Sequence, residues 1–367
     1  GNEVYVRNLL KGFASLDRQS EFVAYIASRE AQPAIPERFR IREVSTNPFV
    51  RLGMQFPRML ASERPDLFHV QYTAPWNCPV PVVVSVHDVS FLEHPEYFSR
   101  ARAMQLKVTV KRTVERAARV ITPSDFSRQA VARVYGLDPE RITVIHNAVS
   151  NHFRPIQREV AAAHLLRKRE WAFPYVLTVG DIQPRKNHIG LVRAFASVLR
   201  EHPQLPHHLV MAGKETWFAP EVRAVVRASG IAERIHFTGF VDDTELVQLY
   251  GGCDVFAFPS FYEGFGIPIL EAMACGRAVV CSNTTAMPEV ADSAALLFDP
   301  KSDEQIGRAM RDLLIDAELR MRTERLGLQR AALFSWERAS RQTLDVYYSV
   351  AKKQQKESKR AMQVARP

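Results

Sequence analysis

Short runs of apolar and β-branched residues alternate along the chain with stretches whose apolar positions recur every three or four residues. This is the pattern of buried parallel strands joined by helices, an α/β class. Val6, Leu9, Leu10 and Phe13 predict an opening amphipathic helix, followed by strands over 22–27 and 40–44 and an apolar helix over 48–61. The runs over 66–72 and 80–86 are apolar enough for central strands, and the second leads directly into His87-Asp88. A helix over 95–120, a strand over 120–122, a helix capped by Ser124 and a strand over 142–145 complete the first half. Residues 150–172 read as a polar connecting helix.

The second half repeats the alternation. Strands are predicted over 175–179, 208–212, 235–238, 255–258, 278–281 and 296–298. Asn187 is a natural N-cap for a helix carrying Leu191, Val192, Phe195, Val198 and Leu199 on one side. Gly276 suits the residue after a helix end, and Ser302 with Gln305 has capping-box spacing before a helix over 303–315. Helices over 319–333 and from 336 to about 352 follow, with a basic, frayed tail. These breaks predict an amino-terminal domain over 1–155, a second domain over 156–335, and a closing helix and tail over 336–367.

Composition narrows the partners. The formal net charge of +9 favours an anionic partner. No zinc-finger spacing, aromatic RNP-type strand or long basic arm accompanies it, so nucleic acid is not expected. No apolar run is long enough to cross a bilayer, and the amino terminus has no signal-peptide pattern. Cys78, Cys253, Cys275 and Cys281 lack metal-ligand spacing and read as reduced core thiols of a cytoplasmic protein. Arg100, Arg102, Lys107, Lys111 and Arg112 sit among Met104, Leu106, Val108 and Val110. Two readings of that helix stay open: a solvated basic face, or peripheral contact with the anionic inner face of a membrane.

Candidate chemistry concentrates at two strand-to-helix loops. In the segment 259–271, Gly264, Phe265 and Gly266 precede a helix with Pro268 near its start. Glycines that let backbone amides approach a ligand, together with a helix N-terminus, suit a phosphate. Glu263 and Glu271, the latter expected in the first helical turn, frame this loop; carboxylates beside a phosphate suit neutral hydroxyls of a sugar or ribose. Arg185 and Lys186 project from the other loop and can neutralise a diphosphate. His87 lies at a strand's carboxyl end, where doubly wound sheets carry ligands.

The sequence E-G-F-G-I-P-I-L-E, continued by A-M-A-C-G-R-A-V-V and P-E-V, resembles the retaining GT-B glycosyltransferases of family 4, the glycogen synthase-like and mannosyltransferase-like group. G-D-I-Q-P-R-K-N at 180–187 resembles the same family. The resemblance implies two Rossmann-like doubly wound domains facing a central cleft, with a nucleotide sugar on the second and a glycan or lipid-linked acceptor on the first. Glu263 would lie near the sugar, Glu271 on the ribose, Phe240 by the base, and His87 beside the donor sugar. The family usually opens on a strand and a G-G-x-x-x-Y turn; only Gly1 and Tyr5 of that pattern stand here, so the resemblance implies an opening strand that is cut off or missing. Asp181 stands where some relatives hold an arginine.

No D-x-D triplet is present, so no metal and no cofactor are expected. The expected activity is retaining transfer of a hexose, mannose or glucose, from a GDP-mannose or UDP-glucose type of donor in polysaccharide biosynthesis. A nucleotide-sugar 2-epimerase and a non-catalytic nucleotide-sugar sensor are the alternatives.

Overall fold

The computed structural model describes residues 2–364, and the side chains of residues 3–356. The described chain divides into two compact units, one of residues 2–147 with 335–364 and one of residues 148–334.

In the first unit β1 (Val23–Ile26) pairs with β2 (Arg40–Glu43), and β3 (Phe68–Gln71), β4 (Val82–Ser85), β5 (Arg119–Thr122) and β6 (Ile142–Val144) form a parallel sheet in that order. Val82, Val83, Val84 and Ser85 are all buried, as expected for a strand covered on both faces. The opening helix, Asn2–Leu16, packs on the closing helix, Trp336–Val364. The helices pack closely at Gly12, where a β-carbon would stand 1.9 Å from Ser340 Oγ. A buried polar chain ties both helices to the sheet. Tyr5 and His69 each bond Ser85 Oγ, at 2.7 and 2.8 Å, and His69 Nδ1 meets the Tyr347 hydroxyl.

Three predicted helices differ from the observed ones. The helix expected over 48–61 is broken by a wide π-helical turn at Arg51–Gln55 before Phe56–Glu63, because Pro57 has no N–H to continue the ladder. The helix expected over 95–120 spans only Arg100–Arg116, with Ser99 Oγ accepting the Arg102 amide at its start and Arg119 already in β5. The closing helix, expected to end near residue 352, continues to Val364. Gly1 and the tail residues 365–367 lie outside the described residues.

The second unit is a six-stranded parallel sheet of β7 (Tyr175–Val179), β8 (His208–Ala212), β9 (Ile235–Gly239), β10 (Val255–Phe258), β11 (Ala278–Ser282) and β12 (Leu296–Phe298). Their spatial order is β12-β11-β10-β7-β8-β9. Alternate residues feed two cores: Val255, Ala257, Ala278 and Val280 on one face, Phe256, Phe258, Val279 and Cys281 on the other. The sheet is therefore doubly wound. The strand order reverses between β7 and β10, and the crevice outside their carboxyl ends is where such sheets bind ligands.

Candidate functional site

Both sequence-predicted loops leave strands at that reversal. After β7, Gly180 leads through Pro184–Lys186 to Asn187, whose φ of 51° is left-handed and whose side chain accepts the Gly190 amide to start the helix His188–Glu201. Its amide nitrogen also donates to the Pro300 carbonyl at 2.7 Å. After β10, the chain runs through Glu263 to Gly266, at φ 100°, and enters the helix Ile267–Ala274. A glycine N-cap offers no side-chain acceptor, and among the described residues its carbonyl takes only the Ile269 amide, at 3.0 Å. Glu271 falls one position beyond the expected first turn, in the second. The helix closes as predicted at Gly276, φ 71°, with the Gly276 and Arg277 amides bonded to Met273 and Ala272 carbonyls.

The structure brings Arg185, Lys186 and Glu263 into one ion cluster. Arg185 Nη1 and Lys186 Nζ stand 2.6 and 2.7 Å from the same carboxylate oxygen, Glu263 Oε1. The Lys186 and Glu263 side chains are 13% and 12% exposed. Burial would raise the Glu263 carboxyl, but the two cations override it and hold it down at about 2. Burial also pulls the Lys186 ammonium below the ordinary lysine value, with Arg185 opposing and Glu263 supporting its charge. Arg185 further donates to the Tyr262 carbonyl at 2.6 Å, and the Phe261 amide donates to the Arg185 carbonyl at 2.8 Å, so the two loops are laced together. Lys186 Nζ also lies 4.6 Å from the centre of the Phe258 ring.

Glu271 occupies a different environment. It is buried and accepts a hydrogen bond from the Tyr250 hydroxyl at 2.9 Å. Burial pushes its carboxyl up to about 7, against the pull of that hydrogen bond. The two glutamates that frame the loop are thus shifted in opposite directions, Glu263 toward the carboxylate and Glu271 toward the protonated acid.

Phe240 follows β9 and is 70% exposed, with Lys214 Nζ 5.0 Å from its ring centre. Asp181 accepts the Lys214 amide at 3.1 Å and so braces the same edge. In the first unit His87 Nε2 lies 3.0 Å from Gln71 Oε1, its ring edge-on to Tyr5 and Tyr72. Burial, with lesser repulsion from His69, drives protonation of this imidazole down to about 3. With Gln71 Oε1 accepting, the proton of neutral His87 sits on Nε2 and Nδ1 is the acceptor.

Sequence reasoning missed Gln71, Tyr250 and Thr285. Thr285, at φ 57°, accepts the Glu263 amide on its hydroxyl at 3.1 Å, and the neighbouring Thr284 hydroxyl donates to the Phe261 carbonyl. Both threonines lie between the strands predicted over 278–281 and 296–298, where no local pattern marks them. Among the described residues no three His, Cys, Asp or Glu side chains are placed to share a metal ion, and no helix is long and apolar enough to cross a membrane. Cys253, Cys275 and Cys281 are buried thiols and Cys78 is half-buried.

Comparison with known proteins agrees with this fold. The family model for glycosyl transferases group 1 matches residues 167–330, and that for Glycosyltransferase Family 4 matches residues 1–152. The O-antigen chain mannosyltransferase B of Escherichia coli is 34% identical over 266 residues, which cover 72% of this chain and 69% of that protein. The serotype-specific mannosyltransferase WbdA of the same organism is 31% identical over 71% of this chain, which spans only 32% of that longer protein. Among solved structures, Anabaena HepE in complex with UDP-glucose aligns with a TM-score of 0.76 at 18% identity, covering 95% of this chain and 96% of its own. WaaG, a glycosyltransferase involved in lipopolysaccharide biosynthesis, aligns at 0.75 and 17% over the same shares. The chain therefore belongs to the GT-B glycosyltransferases of family 4, with a group 1 glycosyl transferase domain as its second half, and is an enzyme that transfers a sugar.

Proposed function

We propose that this enzyme is a metal-independent, configuration-retaining hexosyltransferase that moves mannose from a nucleoside-diphosphate sugar onto a polysaccharide or lipid-linked glycan. The observation that carries the reading is the convergence of Arg185 and Lys186 on Glu263 at the strand-order reversal, beside a helix entered through glycine. Loss of a nucleoside diphosphate builds negative charge on the departing phosphate. Preorganised cations and amides aimed at that charge contribute on the order of 3 kcal/mol each. Arg185, Lys186 and the backbone over 264–266 supply them.

Glu263 holds the two cations through Oε1, while Oε2 takes no part in either ion pair and suits a sugar hydroxyl. Glu271 suits the ribose, and Phe240 offers an exposed face to the base. His87, a neutral imidazole, suits a hydroxyl better than a phosphate. In the transfer, the bond from the sugar's anomeric carbon to the phosphate oxygen breaks, and the acceptor oxygen bonds that carbon on the same face. The acceptor's proton passes to the departing phosphate oxygen.

Mannose is favoured by the names of the bacterial relatives, and the glycan acceptor by the O-antigen relative. A donor panel tests this: GDP-mannose and UDP-glucose are compared by calorimetry, then by nucleotide release with and without EDTA. Turnover of GDP-mannose undiminished by chelation is expected. Activity lost on chelation and restored by a divalent cation would reject the metal-independent reading, and a β-linked first product from an α-linked donor would reject retention.

A further inference from the structure

A third loop lies beside the two that carry the ion cluster. It joins β11 to the short helix Met287–Ala291 and runs along the Glu263 loop. β10 and β11 pair in register as far as Phe258 and Cys281. Beyond that point side-chain hydroxyls take over from the backbone ladder. The Ser282 hydroxyl donates to the Phe258 carbonyl, the Thr284 hydroxyl donates to the Phe261 carbonyl at 3.3 Å, and Thr285 Oγ1 accepts the Glu263 amide at 3.1 Å. The Ala286 amide then donates to the Glu263 carbonyl at 3.4 Å. The backbone N–H and C=O of Glu263 are thus both held by the neighbouring pair Thr285 and Ala286.

Thr285 takes this place against its own backbone preference. Its φ of 57° lies in the left-handed region, which a β-branched side chain enters only as an outlier. Among the described residues with left-handed backbone other than glycine, Thr285 alone is β-branched. A glycine would make the same turn freely. What a glycine lacks is an oxygen for the Glu263 amide, a part-buried donor that would lose its described acceptor.

The consequence reaches the cations. Glu263 Oε1 meets both Arg185 and Lys186, so a shift of its backbone re-aims the pair. Charge builds on the leaving phosphate in the transition state, so misaimed cations slow transfer more than they weaken donor binding. We infer that Thr285 is a positioning residue for sugar transfer: its strained turn presents the hydroxyl that fixes the Glu263 peptide and, through it, the two cations. The inference rests on the donor reading of the Arg185, Lys186 and Glu263 cluster.

Three variants separate the hydroxyl from the turn. Thr285→Ser keeps the acceptor, Thr285→Ala removes it at the same backbone cost as serine, and Thr285→Gly removes it while relaxing the turn. Release of nucleoside diphosphate is measured with GDP-mannose or UDP-glucose, whichever turns over, beside Glu263→Gln. kcat is expected to fall about tenfold in Thr285→Ala and Thr285→Gly, the effect of one lost hydrogen bond, with KM for the donor within about threefold of the parent. Thr285→Ser is expected to recover kcat to within about twofold of the parent. The comparison of serine with glycine stands even where Thr285→Ala does not fold. Thr285→Gly at the parent kcat, Thr285→Ser as impaired as Thr285→Gly, or a loss confined to KM would overturn the inference. An impaired Glu263→Gln beside three fully active Thr285 variants would overturn this inference alone; a fully active Glu263→Gln would overturn the donor reading with it.

Discussion

Lys186 lies directly across Gly180: a β-carbon built on that glycine would stand 3.0 Å from Lys186 Cε and 3.4 Å from its Nζ. The glycine at the end of β7 is thus the space in which the ammonium reaches Glu263. Its φ of 149° adds a backbone reason for the same residue. Gly180→Ala should displace Lys186 while leaving the sheet intact. The expected result is a loss of about tenfold in kcat/KM with little change in circular dichroism. An alanine variant as active as the parent would show that the position of Lys186 is unimportant.

Glu263 bonds both cations, Arg185 and Lys186, through one carboxylate oxygen. Glu263→Gln leaves two partly buried like charges side by side, and should cost about 2 to 3 kcal/mol in urea unfolding at neutral pH. Because its folded carboxyl titrates near 2, below the ordinary 4.5, its stabilisation is complete above about pH 4.5 and is lost as pH falls toward 2. The stability gap between parent and variant should therefore close over that acid window. A gap independent of pH would contradict the ion cluster.

Glu271 behaves in the opposite sense. Its folded carboxyl titrates near 7, above the ordinary 4.5, so the fold favours the protonated form. The parent should lose stability as pH rises from about 4.5 to 7, by about 3 kcal/mol in all. Glu271→Gln keeps an acceptor for the Tyr250 hydroxyl and should flatten that slope. It should raise the melting temperature at pH 8 while weakening nucleotide binding. Unfolding curves across this range, measured for both proteins, check the first claim; parallel slopes would refute it.

Much of the second unit was legible because its signals are local. The caps at Asn187 and Ser302, the stop at Gly276 and the six strands each depend on neighbours in sequence. Even there the reading was partial: Ser302 accepts the Gln305 amide, but Gln305 reaches the Asp299 amide instead of closing the capping box. What could not be read was pairing across the sheet. Lys186 and Glu263 are 77 residues apart, Tyr250 meets Glu271 from another helix, and Gln71 reaches His87 from the adjacent strand. Each follows from strand order and register, which no local pattern encodes. The π-helical turn was hidden for a related reason: apolar spacing over 48–61 looks helical, whereas the loss of one donor at Pro57 acts on the backbone.

The central claim is that Arg185 and Lys186 hold the donor's diphosphate. Calorimetric titration of the parent and of Lys186→Met and Arg185→Met with GDP, and with guanosine lacking the phosphates, tests it most directly. The account predicts that GDP affinity falls about a hundredfold in each variant while guanosine affinity stays unchanged. Undiminished GDP binding, or an equal loss for guanosine, would contradict it.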